Sequence, residues 1–169
     1  DFLVDPFVQA EIPYTCGSLY FTLLQKLSRY PIPELRLPDG NGERLLDVGC
    51  NWGRWALAAA QKGYRPVGID PSLKAVMAAS RISKQLGLET QFVVGDARHL
   101  PFKSDCFDVG FSYGVFQHFS KDNARMSIRE IARTVRENGD VLIQMANKFG
   151  IRSFYQQARR GFHEGKGFE

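Results

Sequence analysis

The chain has 169 residues, 44% of them apolar and 24% charged, which fits one folded domain with a proper core. No apolar run reaches the length of a membrane span. The net charge is +4; five Lys/Arg against two Asp/Glu from Lys148 to Glu169 carry +3 of it, so the remainder is nearly neutral and argues against a nucleic-acid partner. Cys16, Cys50 and Cys106 are scattered and odd in number, without CxxC spacing. That argues against a disulfide framework or a zinc site and points to a cytoplasmic location.

Residues 1–14 read as irregular, punctuated by Pro6 and Pro13. Tyr20, Leu23, Leu24 and Leu27 then recur at helical spacing until Pro31 and Pro33. This is either a packing helix or a lid, with Tyr14 or Tyr20 facing a ligand, and 1–42 forms an amino-terminal helical segment. Pro38-Asp39-Gly40-Asn41-Gly42 is a turn. Leu45 to Val48 reads as a short buried strand, followed by a tight turn from Gly49 to Gly53. The next helix carries Trp52, Trp55, Ala56 and Ala59 on one stripe and stops at Gly63. Arg65 to Asp70 is a second strand. Ser72 caps a helix whose buried face is Ala75, Ala78, Ala79, Ile82 and Leu86, ended by Gly87. Gln91 to Val94 and Phe107 to Phe111 are the third and fourth strands, the latter leading through a loop at Ser112-Tyr113-Gly114 to Gln117-His118. A helix from about Lys121 to Glu137 turns Ile128, Ile131, Ala132 and Val135 inward. Asn138-Gly139 then leads into a fifth strand, Val141 to Met145.

Strands alternating with helices imply a doubly wound, mostly parallel α/β sheet with helices on both faces. In such sheets ligands lie beyond the carboxyl ends of the strands. Gly49, Asp70, Asp96 and Ser112 each fall at such an end, on one rim. A strand, a glycine turn and a helix amino terminus cradle nucleotide-like ligands, although the same pattern also serves as a plain connection. Asp70, 21 positions after Gly49, can accept from both hydroxyls of a ribose, or else cap a helix, a job for which Ser72 is better placed. Asp96 can meet a purine amino group, or simply make a turn.

Two adenosine ligands compete, a nicotinamide dinucleotide and S-adenosylmethionine. The dinucleotide fingerprint G-x-G-x-x-G is broken, because Asn51 replaces its middle glycine and the final spacing fails. Asp47, an acid inside the first strand, suits a ligand carrying an ammonium and a sulfonium better than a pyrophosphate.

Leu45-Leu46-Asp47-Val48-Gly49-Cys50-Asn51-Trp52-Gly53 resembles motif I of the class I S-adenosylmethionine-dependent methyltransferases, of the broad small-molecule group. Val67 to Ser72, Gly95-Asp96-Ala97 with Leu100-Pro101-Phe102, Phe107-Asp108-Val109, and Arg129 to Val135 with Asn138-Gly139-Asp140 resemble the family's later motifs. The likeness covers about residues 43–147 and implies a Rossmann-like sheet in the order 3-2-1-4-5. It also implies roles. Gly49, Cys50 and Asn51 would line the methionine portion, and Asp47 would orient the loop or the ammonium. Asp70, with Pro71 beside it, would hold the ribose. Asp96 and Ala97 would address the adenine, and Ser112 would offer its backbone carbonyl. Asn51 departs from a family glycine but tolerates a left-handed backbone. The family's usual last two strands have no counterpart, so 148–169 is expected to be a basic, truncated segment.

Methyl transfer is an in-line displacement in which the protein mainly orients the reactants. A base is needed only for a protonated acceptor; His118 is the candidate, or else it packs in its loop. No metal-ligand pattern is visible. The expected activity is methyl transfer to a small molecule. The alternatives are an RNA or protein methyltransferase and a non-catalytic binding module, with a dehydrogenase well behind.

Overall fold

The computed structural model describes residues 3–14, 27–145, 150, 155 and 158. Five strands form one sheet: β1 (Arg44–Val48), β2 (Arg65–Asp70), β3 (Gln91–Val94), β4 (Phe107–Tyr113) and β5 (Val135–Gln144). Their order is β3-β2-β1-β4-β5, and every neighbouring pair is parallel. The expected order and class are therefore observed. β1 lies in the middle, and its run Leu45-Leu46-Asp47-Val48 is buried throughout. Side chains alternate across a strand. Leu46 and Val48 accordingly join one core cluster with Val67, Ile69 and Phe107, while Leu45 joins another with Ala58, Ala59 and Phe111.

Helices cover both faces. α2 (Arg54–Gln61) packs on β1 and β2, α3 (Leu73–Leu86) on β2 and β3, and α4 (Lys121–Thr134) on β4 and β5. The Ser72 hydroxyl accepts the Ala75 N–H, and Gly87 closes α3 at φ 64°. Cap and stop are as expected, and they fix where β2 ends and β3 begins.

Four elements differ from the sequence reading. Residues 3–14 are not irregular, because α1 spans Pro6–Glu11 and packs on α3. Asp5 Oδ1 accepts the Phe7 N–H at 2.8 Å, and Pro6 opens the helix, where its missing N–H costs nothing. Trp52 lies in the turn and is fully buried there, because α2 starts only at Arg54. β4 runs on to Tyr113, so Ser112 belongs to the strand, paired with Ile143. α4 ends at Thr134 and β5 starts at once, with Val135 opposite Phe107 and Asp140 opposite Val109, so the residues between bulge out. Its inward stripe is Ser127, Ile131 and Thr134, whereas Ile128 and Ala132 are exposed. The Thr134 hydroxyl donates to the Ile131 carbonyl, so a polar residue is accommodated there. The helix expected around Tyr20, Leu23 and Leu24 lies outside the described residues. No helix among the described residues is long and apolar enough to cross a membrane.

Candidate functional site

Four strand ends bring the candidate residues to one rim. The turn after β1 is pinned from below. The Gly49 and Cys50 N–H groups both donate to the Ile69 carbonyl of β2, at 2.8 and 3.0 Å. The Asn51 N–H donates to Asp70 Oδ2 at 2.9 Å, the Trp52 N–H to Asn51 Oδ1 at 2.6 Å, and the Gly53 N–H to the Cys50 carbonyl at 2.9 Å. Asn51 takes a left-handed backbone, φ 50°, and its side chain finds room by capping the next residue. Every backbone donor from Gly49 to Gly53 is thus already used inside the protein. Gly49 has φ 76°, and a Cβ there would stand 2.3 Å from Val115 Cγ2, so the loop after β4 lies directly on this turn.

Asp47 and Asp70 sit on either side of the turn. Asp47 is 1% exposed, and its Oδ2 accepts the Ala56 N–H at 3.1 Å, which ties β1 to the first turn of α2. Burial pushes its carboxyl up to about 7; the Ala56 N–H and the charge of Arg54 oppose that rise. Asp70 is also held above the usual carboxylate range, by burial, against hydrogen bonds from Ser72 and Asn51. Its Oδ1 accepts the Ser72 N–H and its Oδ2 the Asn51 N–H, both at 2.9 Å. A carboxylate has about four acceptor positions, so two remain open at Asp70. Pro71 follows it on the surface.

The Cys50 thiol is buried, and burial raises its pKa well above the usual value. It fills the space where a Cβ on Gly68 would stand 2.8 Å from its sulfur. Its side chain is therefore packing, and only its backbone belongs to the rim. Ser112 is fully buried and its hydroxyl donates to the Val48 carbonyl at 2.9 Å, locking β4 to β1 at the rim. The Gly95 N–H donates to the Asp70 carbonyl, which holds the turn after β3 beside Asp70. In that turn Ala97 is buried, and Asp96 is clasped by Arg98, whose guanidinium holds its carboxyl below the usual range.

His118 lies apart from this group. It ends the 3-10 turn Phe116–His118 beyond β4, is exposed, and stands 3.3 Å from the Gln117 amide nitrogen. Sequence reasoning missed Arg98 and Val115. No motif marks either one; Val115 could have been suspected only from its place right after the loop that follows β4. Among the described residues no group of three or more His, Cys, Asp or Glu could hold a metal ion.

The methyltransferase-domain family matches residues 45–139, just over half the chain. The chain is 34% identical over 101 residues to the uncharacterised methyltransferase YcgJ of Bacillus subtilis, covering 59% of this chain and 39% of that protein. The crystal structure of YcgJ superposes with a TM-score of 0.57 at 31% identity, covering 61% of this chain and 44% of that one. A ubiquinone biosynthesis O-methyltransferase of Azorhizobium caulinodans is 26% identical, over 67% of this chain and 44% of its own length. A tRNA (carboxymethyluridine(34)-5-O)-methyltransferase of Schizosaccharomyces pombe is 29% identical, over 70% and 46%. The chain spans less than half the length of these relatives. Fold and sequence agree, and the chain belongs to the class I S-adenosylmethionine-dependent methyltransferase family.

Proposed function

We propose that this protein transfers a methyl group from S-adenosylmethionine to a small-molecule acceptor, with residues 43–147 as its cofactor-binding core and 1–42 as part of the acceptor pocket. The observation that carries this reading is the contrast between Asp70 and the turn beside it. Asp70 keeps two acceptor positions open on the rim, suited to the vicinal hydroxyls of a ribose. The Gly49–Gly53 turn has no backbone donor left for a pyrophosphate. An adenosine ligand without phosphates fits that arrangement, and a nicotinamide dinucleotide does not.

When bound, S-adenosylmethionine supplies a methyl carbon already activated by its sulfonium. The chain's part is to hold and orient it. Asp70 takes the ribose. Gly49, Cys50 and Asn51 offer a backbone surface to the methionine portion, and buried Asp47 lies beneath it, where a cationic group draws its carboxyl into the charged form. Ser112 fixes the rim of β4. The Ala97 N–H, which has no partner among the described residues, faces the adenine. Val115, apolar and seated over Gly49, keeps water off the turn. His118 is the candidate base where the acceptor must lose a proton, and its exposure leaves it free to do so.

The small-molecule reading is supported by the nearly neutral core and by the likeness to a ubiquinone biosynthesis enzyme. The tRNA methyltransferase relative keeps RNA as the second reading. Free thiols at Cys50 and Cys106 accord with a cytoplasmic setting.

Calorimetric titration tests the cofactor. S-adenosylhomocysteine should bind more tightly than NADH. Asp70→Ala should weaken that binding by roughly ten- to a hundredfold, as expected for charge-assisted hydrogen bonds, with the fold retained. His118→Ala should bind normally and lose turnover only with a protonated acceptor. Tighter NADH binding, or an unchanged, folded Asp70→Ala, would refute the assignment. Incubating the full-length protein with methyl-labelled cofactor and fractionated extract then decides the acceptor: label in the small-molecule fraction supports this reading, and label in RNA or protein removes it.

A further inference from the structure

Asp96 stands where a purine amino group is expected, but most of its carboxylate is already engaged by Arg98. The Arg98 backbone N–H donates to Oδ1 at 2.8 Å. Arg98 Nε lies 3.0 Å from Oδ1 and 2.8 Å from Oδ2, and Nη2 lies 2.6 Å from Oδ2. Nε shares its one hydrogen between both oxygens, so three N–H groups occupy most of the roughly four acceptor positions of an ionised carboxylate. Asp70, 26 positions earlier, has only two donors on it. One rim therefore presents a carboxylate free of any cation at one strand end and one clasped by a guanidinium at the next.

We propose that Arg98 competes with the cofactor's adenine for the Asp96 carboxylate, and so sets both the affinity and the purine selectivity of this end of the site. This rests on reading the rim as an S-adenosylmethionine site. An adenine amino group gains full access to Asp96 only when the guanidinium swings away. Until then the adenine is held by the Ala97 N–H, which has no counterpart with which to recognise the exocyclic amino group.

Release of Arg98 is feasible for two reasons. Both side chains of the pair are exposed, at 43% and 39%, and exposed ion pairs are weak and screened by salt. A groove of about 350 Å³ opens beside Arg98, so a displaced guanidinium has room to move.

The test compares two ligands on four proteins by calorimetric titration. S-adenosylhomocysteine carries the 6-amino donor; S-inosylhomocysteine has an oxo group there instead. Arg98→Ala should tighten S-adenosylhomocysteine by roughly three- to fivefold, the scale of an exposed ion pair, and leave the inosyl ligand unchanged. Arg98→Lys, charged but without the fork, should gain less. Adding Asp96→Ala to Arg98→Ala should erase the gain. Raising salt should strengthen S-adenosylhomocysteine binding to the wild type and not to Arg98→Ala. If Arg98→Ala weakens both ligands alike, Arg98 merely holds the turn and the proposal is wrong. Equal affinity of wild type and Arg98→Ala for S-adenosylhomocysteine overturns the proposal alone. Failure of both proteins to bind it overturns the cofactor reading, and the proposal with it.

Discussion

Asp47 shows how a single side chain can be held at a cost to the fold. It is buried in the central strand, and its carboxyl is raised to about 7 by burial. Between about pH 4 and pH 7 the folded protein keeps a proton there that the unfolded chain has lost. Stability therefore falls as pH rises through that window. Asp47→Asn keeps an oxygen for the Ala56 N–H and cannot ionise. It should match the wild type near pH 4 and exceed it at pH 8, by on the order of 2–4 kcal/mol. Urea unfolding across a pH series measures this. Part of the slope should remain, because Asp70 is shifted in the same direction; parallel profiles for the two proteins would contradict the account. A buried acid that weakens the fold at neutral pH makes sense if a cationic ligand group restores what burial removes. Asp47 and Asp70 were both legible from the sequence, because an acid inside an apolar strand and an acid at a strand end stand out. Arg98 was not, since an exposed arginine two residues after an aspartate has no pattern of its own.

Among elements, the junction from β1 to α2 depends most on its glycines. Gly53 has φ 81°, and a Cβ on it would stand 2.8 Å from the Phe92 ring and 2.9 Å from Ala79. Gly87, at the end of α3, has φ 64° with nothing within 4 Å. Both substitutions to alanine carry left-handed backbone strain of about 1–2 kcal/mol. Only Gly53→Ala adds overpacking, commonly about 1–3 kcal/mol, and it pushes on β3 and α3 at once. Thermal unfolding should therefore show a clearly larger loss for Gly53→Ala than for Gly87→Ala, and equal losses would show that Phe92 yields freely. The strands and the caps of α3 were readable because turn chemistry and apolar runs coincide there. The join of α4 to β5 was not. Val135 continues the helical spacing of Ile131 but is recruited by Phe107 across the sheet, and that pairing ends the helix three residues before Glu137. Asp5-Pro6 misled in the opposite direction, since a proline next to an aspartate serves equally as a break and as a helix start.

For the whole molecule, the strand order was legible only through the family resemblance that the motifs carry. Val94 on β3 and Val141 and Leu142 on β5 are exposed, at the two edges of the described sheet. The order itself governs how the chain can be made on the ribosome. β1 meets β2 about twenty residues later, at Arg44 with Arg65, but meets β4 only at Leu45 with Val109. A growing chain that has reached β3 thus holds a three-stranded sheet in which β1 has one bare side. Such an edge invites pairing with other chains. The stretch from Gly95 to Cys106 carries no strand or helix and separates that state from closure. At about 5–20 residues per second the interval is about one second. Limited proteolysis of stalled chains should find β1 cleavable when synthesis halts at Ser104 and protected once Tyr113 has emerged. Between those points the chain is a natural client for a chaperone, and codons that slow translation across Gly95 to Cys106 should lower its soluble yield.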